Sequence, residues 1–507
     1  MGRIAVIGAG MGAMATAARL AVAGHRVVVY ERAETYGGAV RRFERDGFAF
    51  DTGPGLLPLP AVYRDLFVKT GKQPLEECVE LVQVDPSSRH LFADGTEVSL
   101  PNASRAGVVT ALDEALGSGA GDRWGDFLIR AREAWDRTRR PLLEEPLWPN
   151  WSVLADREPY PSVPHKKLLR TRRATTLAEV AAWELRDPRL TALLESHALA
   201  YGLDPRVAPA SAAVLPYMEH AFGTWYVRGG MRELARAVYE RCVARRVEFR
   251  FGASVERIVE KDGRAAGVEL TGGTSQAFGS GGGTVADADF VVAGVAPGML
   301  DRLVAGTAMR GDGEVAAQRG APSRLTVLLA LRGGRPEGVA HRTVVHTTDR
   351  EEELGRLFGE HPGLPAAPTV TVSRPDDTAL VPDREHEAVA LTVTVPSGLK
   401  VSESDVDRVL GVAERALPGL RDRLLWHEVR TPADIAEATG ADGGAVPAPA
   451  LAAADGRLLH PSNGTRVPGL FAAGGWAHPG GGLPHAGMSG ALVAGLIVEG
   501  PEFRGSQ

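Results

Sequence analysis

The chain has 507 residues, 44% of them hydrophobic and 24% charged, with a formal charge of −6. That length exceeds what one hydrophobic core sustains, so two or three cores and an enzyme-sized globular protein are expected. The balance excludes disorder, a collagen-like fold and a nucleic-acid surface as starting readings, and two distant cysteines, Cys78 and Cys242, provide neither a disulfide framework nor a metal cluster.

Arg3 to Ile7 is a β-branched run, Gly8 to Gly12 a tight glycine turn, and Met11 to Ala23 an alanine-rich helix stopped by Gly24. A second strand follows at Arg26 to Glu31. Because the chain opens directly on a strand, no leader is expected and a cytoplasmic location is anticipated. The apolar stretch Ile4 to Gly24 is broken by glycines and Arg19, so it reads as strand, turn and helix and not as a membrane span. Between Ser104 and Glu219 the pattern turns helical, with candidates at Arg105 to Leu116, Arg123 to Arg139, Leu177 to Glu184 and Pro188 to Ala200. Arg232 to Arg245 is another helix, and Val247 to Phe251, Ser254 to Glu260, Ala265 to Leu270 and Asp289 to Ala293 read as strands returning to the first unit. Gly272 to Gly283 is expected to be a hairpin loop. Strands at Leu325 to Leu331, Thr369 to Ser373 and Glu387 to Val395, with a helix at Asp405 to Leu417, suggest a separate antiparallel sheet.

The β-turn-α-β order within about 30 residues is the unit that binds a dinucleotide. Gly8 permits the sharp turn, Gly10 lets the backbone approach a pyrophosphate, and Gly12 gives room beside Ala13, which stands where a third glycine is usual. Glu31, with Arg32 beside it, closes the second strand where a carboxylate can accept hydrogen bonds from a ribose and would repel a 2′-phosphate. The pair Gly37-Gly38 comes next and leads into Phe43-Glu44-Arg45-Asp46-Gly47-Phe48-Ala49-Phe50-Asp51-Thr52-Gly53-Pro54.

From these residues the chain resembles the phytoene desaturases and related carotenoid desaturases and isomerases, in which a glycine pair and an F-x-F-D-x-G-P run line a flavin. Two later stretches extend the resemblance over the whole chain. One is Pro216-Tyr217-Met218-Glu219 with Gly223 and Trp225 to Met231; the other runs from Gly469 through Gly474, Gly475, Trp476, His478, Gly482 and Leu483 to Pro484. The resemblance implies FAD as cofactor and a C-terminal strand, glycine loop and helix whose N-terminus faces the flavin pyrimidine ring, where reduced flavin carries negative charge. It also implies backbone contact from Val255 to the adenine. Where many relatives have Arg after the glycine pair this chain has Ala39, which leaves Arg41, Arg42 or backbone amides for the pyrophosphate. His460-Pro461-Ser462-Asn463 matches the family's R-P-S-N run with His for Arg.

The fold class expected is α/β: a discontinuous doubly wound FAD-binding domain (1–75, 225–300 and 456–507), an antiparallel substrate sheet (76–103 and 301–455) and a helical cap (104–224). His485, Glu219, Trp225 and Tyr226 are the catalytic candidates. His485 stands where the family has glycine, so it would place a titratable group beside the flavin, or else serve packing. Glu219 reads equally as a helix-end carboxylate paired with an arginine. The implied reaction is desaturation of a lipophilic isoprenoid by hydride transfer to flavin N5, with oxygen or a quinone as onward acceptor, since one dinucleotide fingerprint is present. Isomerisation or saturation of a polyene would use the same fold. Amine oxidation is the rival chemistry, and it depends on a lysine that Arg324 to Leu331 lacks. A flavin-holding protein without turnover is the alternative of another class. Finally, Trp124, Trp135, Trp148 and Trp151 lie close together and precede the acid-free run His165 to Arg173 with Lys166, Lys167, Arg170, Arg172 and Arg173. That combination suits peripheral docking on a lipid surface, or alternatively a local core beneath a solvated basic face.

Overall fold

The computed structural model describes residues 1–147, 154, 157–167, 170–271, 284–306, 308, 321–453, 456 and 458–505. The nucleotide sheet is assembled from three separated stretches of chain. Arg3–Ile7 pairs in parallel with Arg26–Tyr30, aligning Ile4 with Val27 and Val6 with Val29. Glu248–Arg250 extends the sheet beyond Arg26–Tyr30, while Phe290–Ala293 and then Leu470–Ala472 extend it on the other side, all in parallel. Numbered along the chain, the order is third, second, first, fourth, fifth, so the winding reverses beside Arg3–Ile7 and opens a crevice at the carboxyl ends of the strands.

Both faces are covered, as a parallel sheet requires. Helices Met11–Val22, Met231–Ala244 and Leu483–Val498 bury Met14, Leu20, Leu234, Val238 and Val493 on one face. On the other, the antiparallel meander Val255–Lys261, Arg264–Leu270 and Thr284–Asp287 joins helix Pro297–Leu303 over Ala5, Ile7, Val291 and Leu470. The expected loop Gly272 to Gly283 lies outside the described residues.

The second sheet has seven strands in the order Leu424–Arg430, Ser323–Arg332, His386–Val395, Val370–Ser373, Arg342–Val345, Ser88–Leu91 and Glu97–Leu100. It is antiparallel, as expected, except where Arg342–Val345 runs parallel to Ser88–Leu91. The hairpin Ser88–Leu91/Glu97–Leu100 comes from an earlier part of the chain than the other five strands and pairs along the edge formed by Arg342–Val345. Helix Glu403–Ala413 packs Val406, Val409 and Leu410 against the Leu and Val residues of one face.

The cap comprises Arg105–Leu116, Ala120–Arg139, Leu177–Val180, Pro188–Ala200 and Val214–Phe222 around Leu112, Phe127, Leu190, Leu194 and Leu215. Trp124 and Trp135 belong to this core, only 3% and 6% exposed, so these two are not interfacial. Trp148 and Trp151 lie outside the described residues. The basic run forms a small antiparallel hairpin, His165–Lys167 with Arg170–Arg172, in which His165 stacks on Trp183 and Arg172 pairs with Glu179. Among the described residues no helix is long and apolar enough to cross a membrane.

Candidate functional site: a dinucleotide cradle opening into a polar chamber

The cradle begins where Arg3–Ile7 ends. Gly8 has φ +90°, which a residue with Cβ rarely adopts, and its amide donates to Tyr30 O at 2.8 Å. At Gly10 an added Cβ would meet nothing within 4 Å, so open space lies in front of the helix that starts at Met11. At Gly12 the same Cβ would lie 2.7 Å from Gly474 Cα and 2.9 Å from Ala486 O, so Gly12 serves close packing of two helices and a loop. The uncapped start of Met11–Val22 thus faces a space of the kind a pyrophosphate fills. Glu31 is buried and accepts from Ala9 N at 2.7 Å and Ala33 N at 2.8 Å, which fixes its carboxylate with lone pairs to spare. Gly8, Gly10, Gly12, Ala13, Glu31, Arg32, Gly37, Gly38 and Val255 all line one cavity of about 800 Å³, as do Arg41 and Arg42. Arg41 Nε donates to Gly38 O at 2.9 Å, and Arg42 pairs with Glu44 at 2.8 Å.

The F-x-F-D-x-G-P run and the Gly-Gly-Met run meet in space. Asp51 accepts from Met231 N at 2.7 Å and Arg232 N at 3.2 Å, capping helix Met231–Ala244, and burial pushes its carboxyl up to about 6. A Cβ on Gly230 would lie 3.0 Å from both carboxylate oxygens. Arg232 then stacks over Tyr36 at 3.9 Å and donates to Thr35 Oγ1 at 2.6 Å, holding the loop that carries Gly37 and Gly38. Sequence comparison presents these runs as flavin-lining; part of their work is to hold each other.

At the C-terminus, Gly474, Gly475, Trp476, Gly482, Leu483 and Ala486 line the same cavity at the uncapped start of Leu483–Val498. Pro484 is buried in that first turn, outside the cavity wall, and offers no N–H. Asn463 donates to Ala472 O at 3.1 Å, His478 O at 2.8 Å and Ser489 Oγ at 3.1 Å, knitting strand, loop and helix together.

Three of the four catalytic candidates do not reach this cavity. His485 turns to the opposite side of its helix and lines a separate small void with Trp135, Leu142, Leu215 and Met218. Burial, with a smaller contribution from His460, pushes it down to about 4, so it is neutral over pH 5–8. Trp225 lies on strand Thr224–Val227, donates to Phe222 O at 3.0 Å and packs under Arg64. Tyr226 points the other way, as alternate strand residues do, and donates to Asp377 Oδ2 at 2.8 Å. Glu219 does line the cavity. It forms an ion pair with Arg342, accepts from Thr224 Oγ1 at 3.2 Å and lies 3.5 Å from His197 Nε2, so the arginine partnership and the place in the wall hold together.

The sequence led to the expectation of a hydrophobic tunnel beneath the cap; a chamber does continue beyond the cradle, but its floor is polar. Its floor is one face of the seven-stranded sheet, where alternate residues Arg324, Thr326, Thr392, Thr394, Thr371 and Arg342 point inward, and its roof is helix Pro188–Ala200 with His197 and Tyr201. The intervening residues Leu325, Val327, Leu391, Val393, Val370 and Val372 form the core of the opposite face. The signal was a strict period of two in three strands, but a polar alternate face ordinarily meets water, so nothing local marked this one as enclosed. Burial keeps His197 at about 4 and His346 at about 3, so both are neutral near pH 7. Among the described residues the cavity wall includes no lysine, and none forms a cluster suited to a metal.

The family model for flavin containing amine oxidoreductases matches residues 14–498. A 4,4′-diapolycopene oxygenase of Methylomonas sp. is 29% identical, covering 98% of both chains. A hydroxyneurosporene desaturase of Rhodobacter capsulatus is 29% identical over 98% of this chain and 97% of its own. Among solved structures, an oxidoreductase from Methanosarcina mazei superposes with TM-score 0.62 at 18% identity (97% and 99% covered). A putrescine oxidase bound to putrescine superposes with TM-score 0.64 at 14% identity (98% and 99% covered), and both likenesses concern the fold. The cradle suits the dinucleotide that this match implies: an open helix start at Gly10, a fixed carboxylate at Glu31 and a second uncapped helix at Leu483. The protein is an FAD-dependent oxidoreductase, and its chain belongs to the flavin-containing amine oxidoreductase family.

Proposed function

We propose that this protein desaturates a lipophilic isoprenoid, taking a hydride and a proton from adjacent carbons of a carotenoid-like chain. The observation that carries the reading is the single cavity running from the dinucleotide cradle into a chamber closed by the cap. Relatives named for diapolycopene, hydroxyneurosporene and phytoene match along nearly their whole lengths and support the substrate class. Bound FAD supplies the hydride acceptor. The chain's own part is to hold the cofactor through the Gly10 and Gly38 backbone, to present the start of Leu483–Val498 to it, and to exclude water with the cap. Glu219, fixed by Arg342 and Thr224, is the group we assign to take the proton. Among the described residues the wall holds no lysine, and this favours the isoprenoid reading over amine oxidation. Electrons then leave for oxygen or a quinone.

The basic hairpin at Lys166 to Arg172 is the part of the cap we assign to an anionic lipid surface, without help from Trp124 and Trp135. Anaerobic incubation of the holoenzyme with isoprenoid hydrocarbons tests the main reading, through bleaching of the flavin and products two hydrogens lighter.

A further inference from the structure

The chamber's floor is more polar than a hydrocarbon requires. Arg324, the second residue of strand Ser323–Arg332, is half-buried and lines the cavity. Its Nη1 donates to Ser323 O at 3.0 Å and its Nη2 to Ala200 O, which leaves N–H donors of the guanidinium unused. Among the described residues no carboxylate pairs with it, so a permanent positive charge stands in the cavity wall without a counterion. Arg342, the other arginine of the floor, is already paired with Glu219. Glu353, a further carboxyl of the wall, is tied to Thr369 Oγ1 at 2.9 Å, and burial raises it to about 7.

An unpaired charge away from bulk water is costly, and a protein keeps one where a bound anion completes the pair. Beside Arg324 the hydroxyls of Thr326 and Thr392 sit directly across from each other on neighbouring strands, with no side-chain partner among the described residues. A guanidinium flanked by free hydroxyls suits the planar, two-oxygen geometry of a carboxylate. A cavity that joins this spot to the cradle would hold a molecule whose apolar chain lies between the two.

We infer that Arg324, aided by Thr326 and Thr392, docks the carboxylate of an otherwise apolar substrate, so that the molecule acted upon is a lipophilic acid and not a pure hydrocarbon. This rests on the lipophilic-substrate reading above and narrows it. It places the protein after a reaction that oxidises the end of a polyene or other long chain to an acid.

The test uses the FAD-loaded protein and five probes: a C30 isoprenoid carboxylic acid, its methyl ester, the parent hydrocarbon, oleate, and methyl oleate as the control for oleate. Affinity is read from perturbation of the flavin spectrum. The expected result is that the isoprenoid acid binds at least about tenfold tighter than its ester, with that preference lost in Arg324→Met and partly kept in Arg324→Lys. FAD content and melting temperature check that each variant is folded, and the acid-to-ester ratio of the wild type needs no variant at all. If neither acid binds tighter than its ester, or if the preference survives Arg324→Met, the inference is overturned, while bleaching by the hydrocarbon would leave the desaturase reading standing. If oleate alone shows an Arg324-dependent preference, carboxylate docking stands and the isoprenoid reading falls.

Discussion

Individual glycines in the cradle have separable tasks. Because the space in front of Gly10 is empty of protein, Gly10→Leu should fold with a near-normal melting temperature and purify without flavin. Gly12→Leu instead drives a side chain into Gly474 and Ala486, so it should lose the fold itself; flavin absorbance together with thermal melts separates the two. Glu219→Gln removes the assigned base while keeping its shape, and should slow flavin reduction about 10²-fold in stopped flow, whereas Trp225→Phe and Tyr226→Phe, whose rings lie outside the cavity, should change it little. His485 lines a void apart from the cradle, and we assign it to packing. Its native-state value of about 4 lies below the ordinary 6.5, as do those of His460 and His478, so the unfolded chain binds more protons in that window. Stability is therefore full above about pH 6.5 and is lost as pH falls toward 4, by about 3 kcal/mol for each fully depressed histidine. His485→Gln should flatten that slope and leave the pH profile of flavin reduction over pH 5–8 unchanged.

At the scale of elements, the coupling of distant runs is the main structural lesson. Asp51→Ala deprives Met231 and Arg232 of their acceptor and should lower stability by about 1–2 kcal/mol, measured by denaturant unfolding, with weaker FAD retention because Arg232 holds the Gly37-Gly38 loop. Strand, turn, helix and strand from Arg3 to Tyr30 were legible because their signals are local: β-branched runs, small residues at fixed offsets and a carboxylate ending the second strand. The motif match at Asp51 found the right place without its reason, since a cap between residues 180 positions apart leaves no periodic trace. A tunnel beneath the cap was expected, but its polar floor was not legible, because Thr326, Thr371 and Thr392 alternate with Val and Leu as they would on a sheet facing solvent. Only the cap, which lies elsewhere in the chain, turns that face into an interior. The direction of His485 was likewise out of reach: a helix start facing the cradle does not decide on which side its third residue emerges.

For the whole molecule, the architecture separates a cofactor crevice at the reversal of the parallel sheet from a floor on the second sheet, with the cap roofing that floor. The proposed lipid docking of the cap's basic hairpin is tested at this scale. The wild type should sediment with anionic vesicles at low salt and less at high salt, and neutral substitutions at Lys166, Lys167, Arg170, Arg172 and Arg173 should leave it in the supernatant. Equal recovery of both proteins in the supernatant would return the hairpin to solvent. The central claim is oxidation of a lipophilic polyene chain by bound FAD. The most direct measurement mixes oxygen-free holoenzyme with a partly saturated C30 isoprenoid, supplied as both hydrocarbon and carboxylic acid, and follows flavin absorbance and product mass together. The flavin should bleach with one product, two hydrogens lighter, per flavin reduced; an unbleached flavin, or a product of unchanged mass, would contradict desaturation by this protein.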